Sequence, residues 1–444
     1  MIKTQFRFLI HALVVVNLTL LSAANANDSV ESLPNPLALV DALKYASANH
    51  PNLLSLEAGQ NRKKAELLSA SSPQSLSSYI ELEFRQSDKT ATPGTEFLDD
   101  SRAIFVIQKL LTDFGRSQAR IAAAQLEFEG NELIRNYKVQ RHQIKIVESF
   151  LDVHLSDLRY NVDDEYMTLA FFPFSRTRDR REKFQEFPEV KERQLEVEYR
   201  RRFVDRTRSG TQQRLLRNKL ALAMGRPGEL ASDIVTPDID GFKRHLPEYD
   251  ELMLQVLDNH PLMQSAKLVL QAAKQSVKSV KLAARPTLSA RFEASEYERN
   301  IGSGRDRFRA SLEMVFPITG GTSSAAALVL AEADLLDAKA SLRQLEYMFR
   351  QQVLELVQEL AVVQTELKAA STEEAYRDLY LDRSRTLYEL EVRADLGDSQ
   401  AKLADAVWQV ATYEYKQVRL WLRLDLMRGL PLSISENTNA GVIN

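Results

Sequence analysis

Four groups of residues in this chain have types and spacings that could carry chemistry. Imidazoles bind metals and move protons, and His50, His142, His154, His245 and His260 are the candidates beyond the N-terminus. Their spacing matches no metal-ligand pattern. His50 and His260 each stand in an Asn-His-Pro triplet and read as helix-capping or packing residues. Gly320-Gly321-Thr322-Ser323-Ser324 invites a phosphate loop, but it lacks the lysine that a GxxxxGK[ST] loop needs to reach the phosphates. Arg291, Glu293, Arg307, Arg309 and Glu313 alternate with apolar residues. Such a row either lines a hydrated passage or pairs across strands to hold a sheet. Finally, Arg393, Asp395, Asp398 and Asp405 gather around Leu396-Gly397. Carboxylates at a constriction attract cations and lock neighbours through arginines, whereas a solvated hairpin tip carries such charges without that purpose. None of this calls for covalent catalysis, and the expectation is a non-enzyme with no cofactor and no metal.

The elements that position these groups follow from the chain's composition. Lys3 and Arg7 precede an apolar run, Phe8 to Leu21, that ends in Ser22-Ala23-Ala24-Asn25-Ala26-Asn27. These are the parts of a cleaved signal peptide spanning 1–26, because the run is shorter than the ~20 residues of a membrane-spanning helix. The mature chain has no comparable apolar stretch and contains no cysteine, so neither disulfides nor a lipoprotein anchor are expected. Net charge is -3, and removal of Lys3 and Arg7 makes it -5. That balance argues against a nucleic-acid surface. Only 15 of 444 residues are glycine, about half the usual share, which predicts long uninterrupted helices.

The segment from Thr322 to Leu396 lacks glycine and proline over 75 residues, a length of roughly 110 Å as one helix. Leu328, Leu335, Leu342, Phe349, Leu356 and Val363 recur in it at every seventh position, a period that imposes a left-handed supercoil on packed helices. A second helix is predicted from Ser399 to Arg428, after a turn at Leu396-Gly397-Asp398. In the first half, Asn131 to Phe172 and Glu189 to Met224 give a weaker version of the same hairpin, because Phe184-Gln185-Glu186-Phe187-Pro188-Glu189 is an unusual link. Arg176 to Arg181, just before it, is locally basic.

Between the helical blocks lie segments of strict alternation, the period of strands with one apolar and one charged face. Phe308, Ala310, Leu312, Met314 and Phe316 form one such set, Leu288, Ala290, Phe292 and Ala294 another, and Ile80, Leu82 and Phe84 a third. The fourth segment, Ser101 to Leu111, is less regular because Ile104 and Val106 fall on the face assigned inward. Phe84, Tyr297 and Phe308 could form an aromatic belt. Asn49-His50-Pro51 recurs as Asn259-His260-Pro261, each triplet leading to a helix, a proline, an alternating hairpin and a glycine turn. This implies an internal twofold repeat, with a first repeat over 27–240 (hairpin about 76–111), a second over 241–431 (hairpin about 286–317) and a tail from 432 to 444. Four amphipathic strands cannot close a barrel alone, and open edges in lipid leave backbone groups unpaired. The chain must therefore oligomerise, twelve strands from a trimer or eight from a dimer being the smallest solutions.

This order of elements resembles the TolC family of outer-membrane efflux and type I secretion channels over nearly the whole mature length. Three stretches carry the resemblance. Leu111-Thr112-Asp113-Phe114-Gly115-Arg116-Ser117-Gln118-Ala119 is similar to the family's strand-to-helix junction. Val315-Phe316-Pro317-Ile318-Thr319-Gly320-Gly321 is similar to the same junction in the second half. Tyr388 to Asp398 is similar to the periplasmic turn of the last helical hairpin, with Glu391 where the family often has glycine. The resemblance implies a mainly α protein with a β part: a long coiled-coil helical barrel below a four-strand share of a trimeric transmembrane β-barrel. It implies junction roles for Asp113, Gly115, Pro317, Gly320 and Gly321, and a gate or adaptor contact at Arg393, Asp395, Gly397, Asp398 and Asp405. The expected partners are two more copies of the chain, outer-membrane lipid, an inner-membrane transporter and a periplasmic adaptor. The expected function is a passive exit duct for small molecules or polypeptides, in the outer membrane with a large periplasmic portion. A periplasmic coiled-coil scaffold and a degenerate duct with altered pump docking are the competing readings.

Overall fold

The computed structural model describes residues 33–44, 50–87, 98–99, 101–297, 306–319, 321–390 and 396–432. The signal segment and residues 433–444 lie outside the described residues. The first half contains α1 (Leu39–Lys44), α2 (Pro51–Ser71), strands β1 (Ser77–Glu83), β2 (Gln86–Ser87), β3 (Leu98–Asp99) and β4 (Arg102–Thr112), then α3 (Arg116–Phe184) and α4 (Glu189–Ala223). The second contains α5 (Tyr249–Asn259), α6 (Pro261–Lys281), β5 (Thr287–Tyr297), β6 (Phe308–Val315), α7 (Gly321–Glu389) and α8 (Leu396–Met427). Helices α3 and α7 have 69 residues each, roughly 100 Å at 1.5 Å per residue.

The helices form a layer of four rows. In the upper tier α3 lies against α2 on one side and α6 on the other, with α7 beyond α6. In the lower tier α4 takes over from α2, and α8 from α6. Both seams are antiparallel: Arg206 with Asp164 and Arg217 with Asp157 tie α4 to α3, while Arg423 with Glu148 and Arg419 with Asp152 tie α8 to α3. The heptad predicted in α7 holds. Phe349, Val353, Leu360 and Val363 are buried, whereas Val329, Leu336, Leu354 and Val362 on its other faces are exposed. The main core lies where the tiers meet, around Trp421, Phe349, Leu151, Leu252 and Leu360, and a second cluster joins Phe150, Ile146, Leu220 and Met224 to Leu37.

The four long strands make one antiparallel sheet in the order β1-β4-β5-β6. Strand for strand, this is the order of the rows: β1 follows α2, β4 precedes α3, β5 follows α6 and β6 precedes α7. The short pair β2-β3 extends the β1–β4 hairpin.

Two sequence expectations need correction. The first half also has a clear lower hairpin. Helix α3 continues through Pro173, whose ring is exposed and whose lost N–H is one bond in a long ladder. Phe174 stacks on Tyr199 and Arg181 pairs with Glu192 across the hairpin. Gln185 takes the left-handed conformation that ends α3, and Pro188 opens α4. In the second half, Leu396, Gly397 and Asp398 are not the turn but the first turn of α8.

The joints between tiers are capped by histidine. Asn52 N–H donates to His50 Nδ1 (3.1 Å) and Leu262 N–H to His260 Nδ1 (3.0 Å). Both acceptors require a neutral ring. His260 is fully buried between Phe349 and Tyr137, and burial lowers its pKa from 6.5 to about 4. The unfolded chain takes up this proton near pH 6.5 and the folded chain only near 4. Stability should therefore fall as pH drops through that window, by up to about 3 kcal/mol. His260→Asn, which can still accept from Leu262, should lower the slope of stability against pH by one proton there, as read from urea midpoints.

Candidate functional site

The sheet has two chemically distinct faces. On one, Ile80, Phe105, Phe292, Phe308 and Leu312 stand with small alanines between them, and they are exposed among the described residues: Phe308 is 67% and Leu312 72% exposed. On the other lie Glu81, Arg291, Glu293, Arg309 and Glu313. Arg291 Nε donates to Glu293 at 2.7 Å, and Arg309, its register partner on β6, lies 3.9 Å from the same carboxylate. The predicted row is thus at once a polar surface and a paired network. Arg307 departs from it, because its guanidinium turns to Glu296 at 3.1 Å, a position belonging to the opposite face. Ile104 and Val106 do lie on the polar face, and Val106 is fully buried between its register partners Tyr79 and Glu293. Long polar side chains cover it with their stems while their heads stay wet. The Arg102–Glu83 pair on this face was not anticipated, although the alternation places both residues there.

Below the sheet, Asp113 anchors the first strand-to-helix junction. Its buried carboxylate accepts from Ser117 N–H at 2.7 Å and from the Ser117 hydroxyl. Phe114 (φ 55) and Gly115 (φ 98) turn the chain, and the second conformation favours glycine. In the second half Pro317 follows β6 and Gly321 (φ 57) opens α7, while Gly320 lies outside the described residues.

At the lower end, Arg393 and Asp395 lie outside the described residues. Asp398 and Asp405 are two helical turns apart and belong to separate contacts. Lys402 reaches back to Asp398 at 2.7 Å, a bond that raises the lysine's pKa. Asp405 faces Arg159 of α3 at 3.5 Å and accepts from Gln409 at 3.1 Å. Arg159 also pairs with the buried Asp163 at 2.8 Å and lies over the Trp408 ring at 4.8 Å. The lower contact between α3 and α8 is therefore centred on Arg159, which the sequence reading missed. Its signal is present, since Asp152, Arg159 and Tyr166 recur at seven-residue spacing along α3. Gly397 lets α8 start against α3: a Cβ there would come within 2.5 Å of Leu169 Cδ2. Higher up, Asp152 takes both Arg419 of α8 and Lys219 of α4 (3.4 Å). His154 bridges Tyr415 at 2.9 Å and Thr236 at 3.3 Å, and burial lowers its pKa.

The described residues contain no cluster of His, Cys, Asp or Glu that could hold a metal ion, and no helix long and apolar enough to cross a membrane. Asp113→Ala should cost about 1–2 kcal/mol by stripping the start of α3 of its acceptor, whereas Asp113→Asn should retain part of that loss. Chemical denaturation of the two variants measures the difference.

No sequence-family profile matches the chain, and no curated protein does. Solved structures do. The CmeC outer membrane channel of Campylobacter jejuni superposes with a TM-score of 0.72 at 12% identity, over 90% of this chain and 87% of that one. The open-state MtrE outer membrane channel of Neisseria gonorrhoeae gives 0.71 at 14% identity, over 90% and 91%. The outer membrane protein VceC of Vibrio cholerae gives 0.69 at 16% identity, over 88% and 96%. With its rows of long helices below a four-stranded sheet, the chain has the fold of the TolC-family outer-membrane channels.

Proposed function

We propose that this chain is one subunit of an outer-membrane exit duct. The observation that carries the reading is a sheet whose apolar face is bare and whose two edges, β1 and β6, are both unpaired among the described residues. In a bilayer that face has hydrocarbon to meet, and the edges have to be closed by further copies. The rows end the same way, on α2/α4 and on α7, so β6 with α7 of one copy faces β1 with α2/α4 of the next. Such a head-to-tail contact closes into a ring. Three copies give twelve strands and twelve helical rows. The polar face, with Arg291, Glu293, Arg309 and Glu313, then lines the passage, and α3 and α8 extend into the periplasm, where the Arg159–Asp405 contact holds the lower end closed.

In this reading the chain conducts passively, as the outer part of a tripartite efflux or type I secretion system whose inner-membrane transporter and adaptor supply energy and docking. It is exported by its cleaved signal peptide and arises from two repeats, whose matched capping histidines, 21-residue helices and strand pairs support a duplication.

Heat-modifiable trimers in outer-membrane fractions and single-channel conductance in planar bilayers test the duct; a soluble monomer without conductance would overturn it. Phe308→Arg or Leu312→Arg should cost a barrel strand about 2–4 kcal/mol near the bilayer midplane and abolish insertion, whereas a periplasmic scaffold would tolerate both. Asp405→Asn removes only the partly exposed ion pair with Arg159, worth at most about 1 kcal/mol, and leaves Arg159 on the buried Asp163. Assembly should therefore survive while mean conductance rises, as read from single-channel traces.

A further inference from the structure

The rim where the strands meet the helices carries cations that the chain leaves largely unmatched. From Pro261 to Phe292 there is no Asp or Glu, whereas Lys267, Lys274, Lys278, Lys281, Arg285 and Arg291 all fall in this stretch. The four lysines follow one another along α6 at helical spacing, so they share one face, and all are exposed. That face is distinct from the one on α3, where Ser265 and Ala272 are buried and Ser279 donates to Arg116 O at 3.2 Å. Lys267 donates to Leu257 O of α5 at 3.0 Å, which puts the stripe on the side where α5 packs over α6 and α7. In the duct this is the outer side, because α5 on the inner side would obstruct the passage.

The sheet adds a cation to the same rim. Lys109 pairs in register with Ala290 and stands on the apolar face with Phe105 and Ile107, near the end of β4. It is exposed, and an ammonium facing hydrocarbon is unfavourable unless its stem carries the head to the interface. Arg285, also exposed, stands at the entry to β5 and donates to Phe114 O at 3.3 Å. Among the described residues no carboxylate pairs with Lys109, Lys274, Lys278 or Arg285, and Lys281 meets Glu332 at 3.5 Å between half-exposed side chains. Leu76, Leu111, Phe316 and Ile318 at the same rim are exposed, Ile318 by 95%. A band of cations bordering an apolar belt matches a phospholipid leaflet, whose acyl chains meet the belt and whose phosphates meet the cations. Because Glu332 is the single described carboxylate paired with this band, a headgroup of net negative charge fits it better than a zwitterion.

We propose that this rim, through Lys109, Lys274, Lys278 and Arg285, binds the headgroups of anionic phospholipid in the periplasmic leaflet of the outer membrane. The inference rests on the duct reading, which supplies the bilayer and the outward side. The preference for net negative charge follows from the unpaired cations themselves.

The full-length chain in uncharged detergent is titrated with phosphatidylglycerol and, separately, with phosphatidylcholine of the same acyl chains, and native mass spectrometry counts the bound lipids. Phosphatidylglycerol should bind at least about tenfold more tightly, and the preference should shrink as ammonium acetate rises. The variant K109Q/K274Q/K278Q removes three cations without breaking an ion pair and should reduce the preference to about twofold or less. The charge-keeping variant K109R/K274R/K278R should retain it. These positions are exposed, so an unchanged thermal melt shows that each variant is folded. Equal affinity for the two lipids, or a preference that survives in the glutamine variant, would sink the proposal. So would inorganic phosphate that displaces phosphatidylglycerol at matched concentration, since the cations would then hold free phosphate. Wild-type conductance is measured in parallel in bilayers of phosphatidylcholine. A conducting protein without the preference refutes the inference alone, and a non-conducting one that shows it refutes the duct alone.

Discussion

A backbone N–H or C=O placed in hydrocarbon without a partner costs several kcal/mol, and in the proposed duct this requirement organises the molecule. It prevents the sheet from ending at β1 and β6 in a membrane, and so makes one copy insufficient. Because each strand continues directly into or out of its own helical row, the same incompleteness is carried down the length of the protein. The bare valines and leucines along α4 and α7, such as Val197, Val204, Leu336 and Leu379, are the helical counterpart of the open strand edges. A solitary chain exposes both kinds of edge, and closing one geometrically closes the other.

Much of this was legible in the sequence because it rests on local periodicity. Alternation placed the strands to within a residue or two, and the heptad from Leu328 to Val363 identified the buried seam of α7. The matched Asn-His-Pro triplets marked the tier joints, where His50 and His260 do cap helices. What escaped was non-local. Pro173 and the glycine-free link at Phe184 to Glu189 read as a break, yet α3 continues past the proline with Phe174 stacked on Tyr199 of α4, and Gln185 accepts the left-handed conformation that glycine would usually take. The Leu396-Gly397 pair reads as a turn by composition, but it lies in the first turn of α8, where a Cβ at Gly397 would push the Leu169 side chain aside. In the candidate site, alternation assigned Arg291, Glu293, Arg309 and Glu313 to one face. It could not show that Arg307 would leave for Glu296, because that depends on where β6 begins. Arg159 was overlooked because a lone arginine in a long helix looks solvated until its partner helix is known.

Apolar packing is concentrated where the tiers meet, and polar contacts dominate towards the lower end. Trp421, Phe349 and Phe150 lock the middle of the molecule. Below them, α8 is held to α3 largely by pairs of partly exposed side chains, individually weak and sensitive to salt. Apolar packing thus holds the middle and salt-sensitive pairs hold the lower end, an arrangement that lets the lower hairpins shift without loosening the sheet.

Asp152 shows how such a shift can be made inexpensive. Its carboxylate sits between Arg419 of α8 and Lys219 of α4. A half-buried charge stripped of its only partner loses more than a fully solvated one, and an interface built from exclusive pairs would resist separation to that extent. Here, when α8 moves away, the carboxylate keeps a cation from the other side. The helix can leave one neighbour because that neighbour is never left alone, so the contact acts as a handover rather than a bond to be broken.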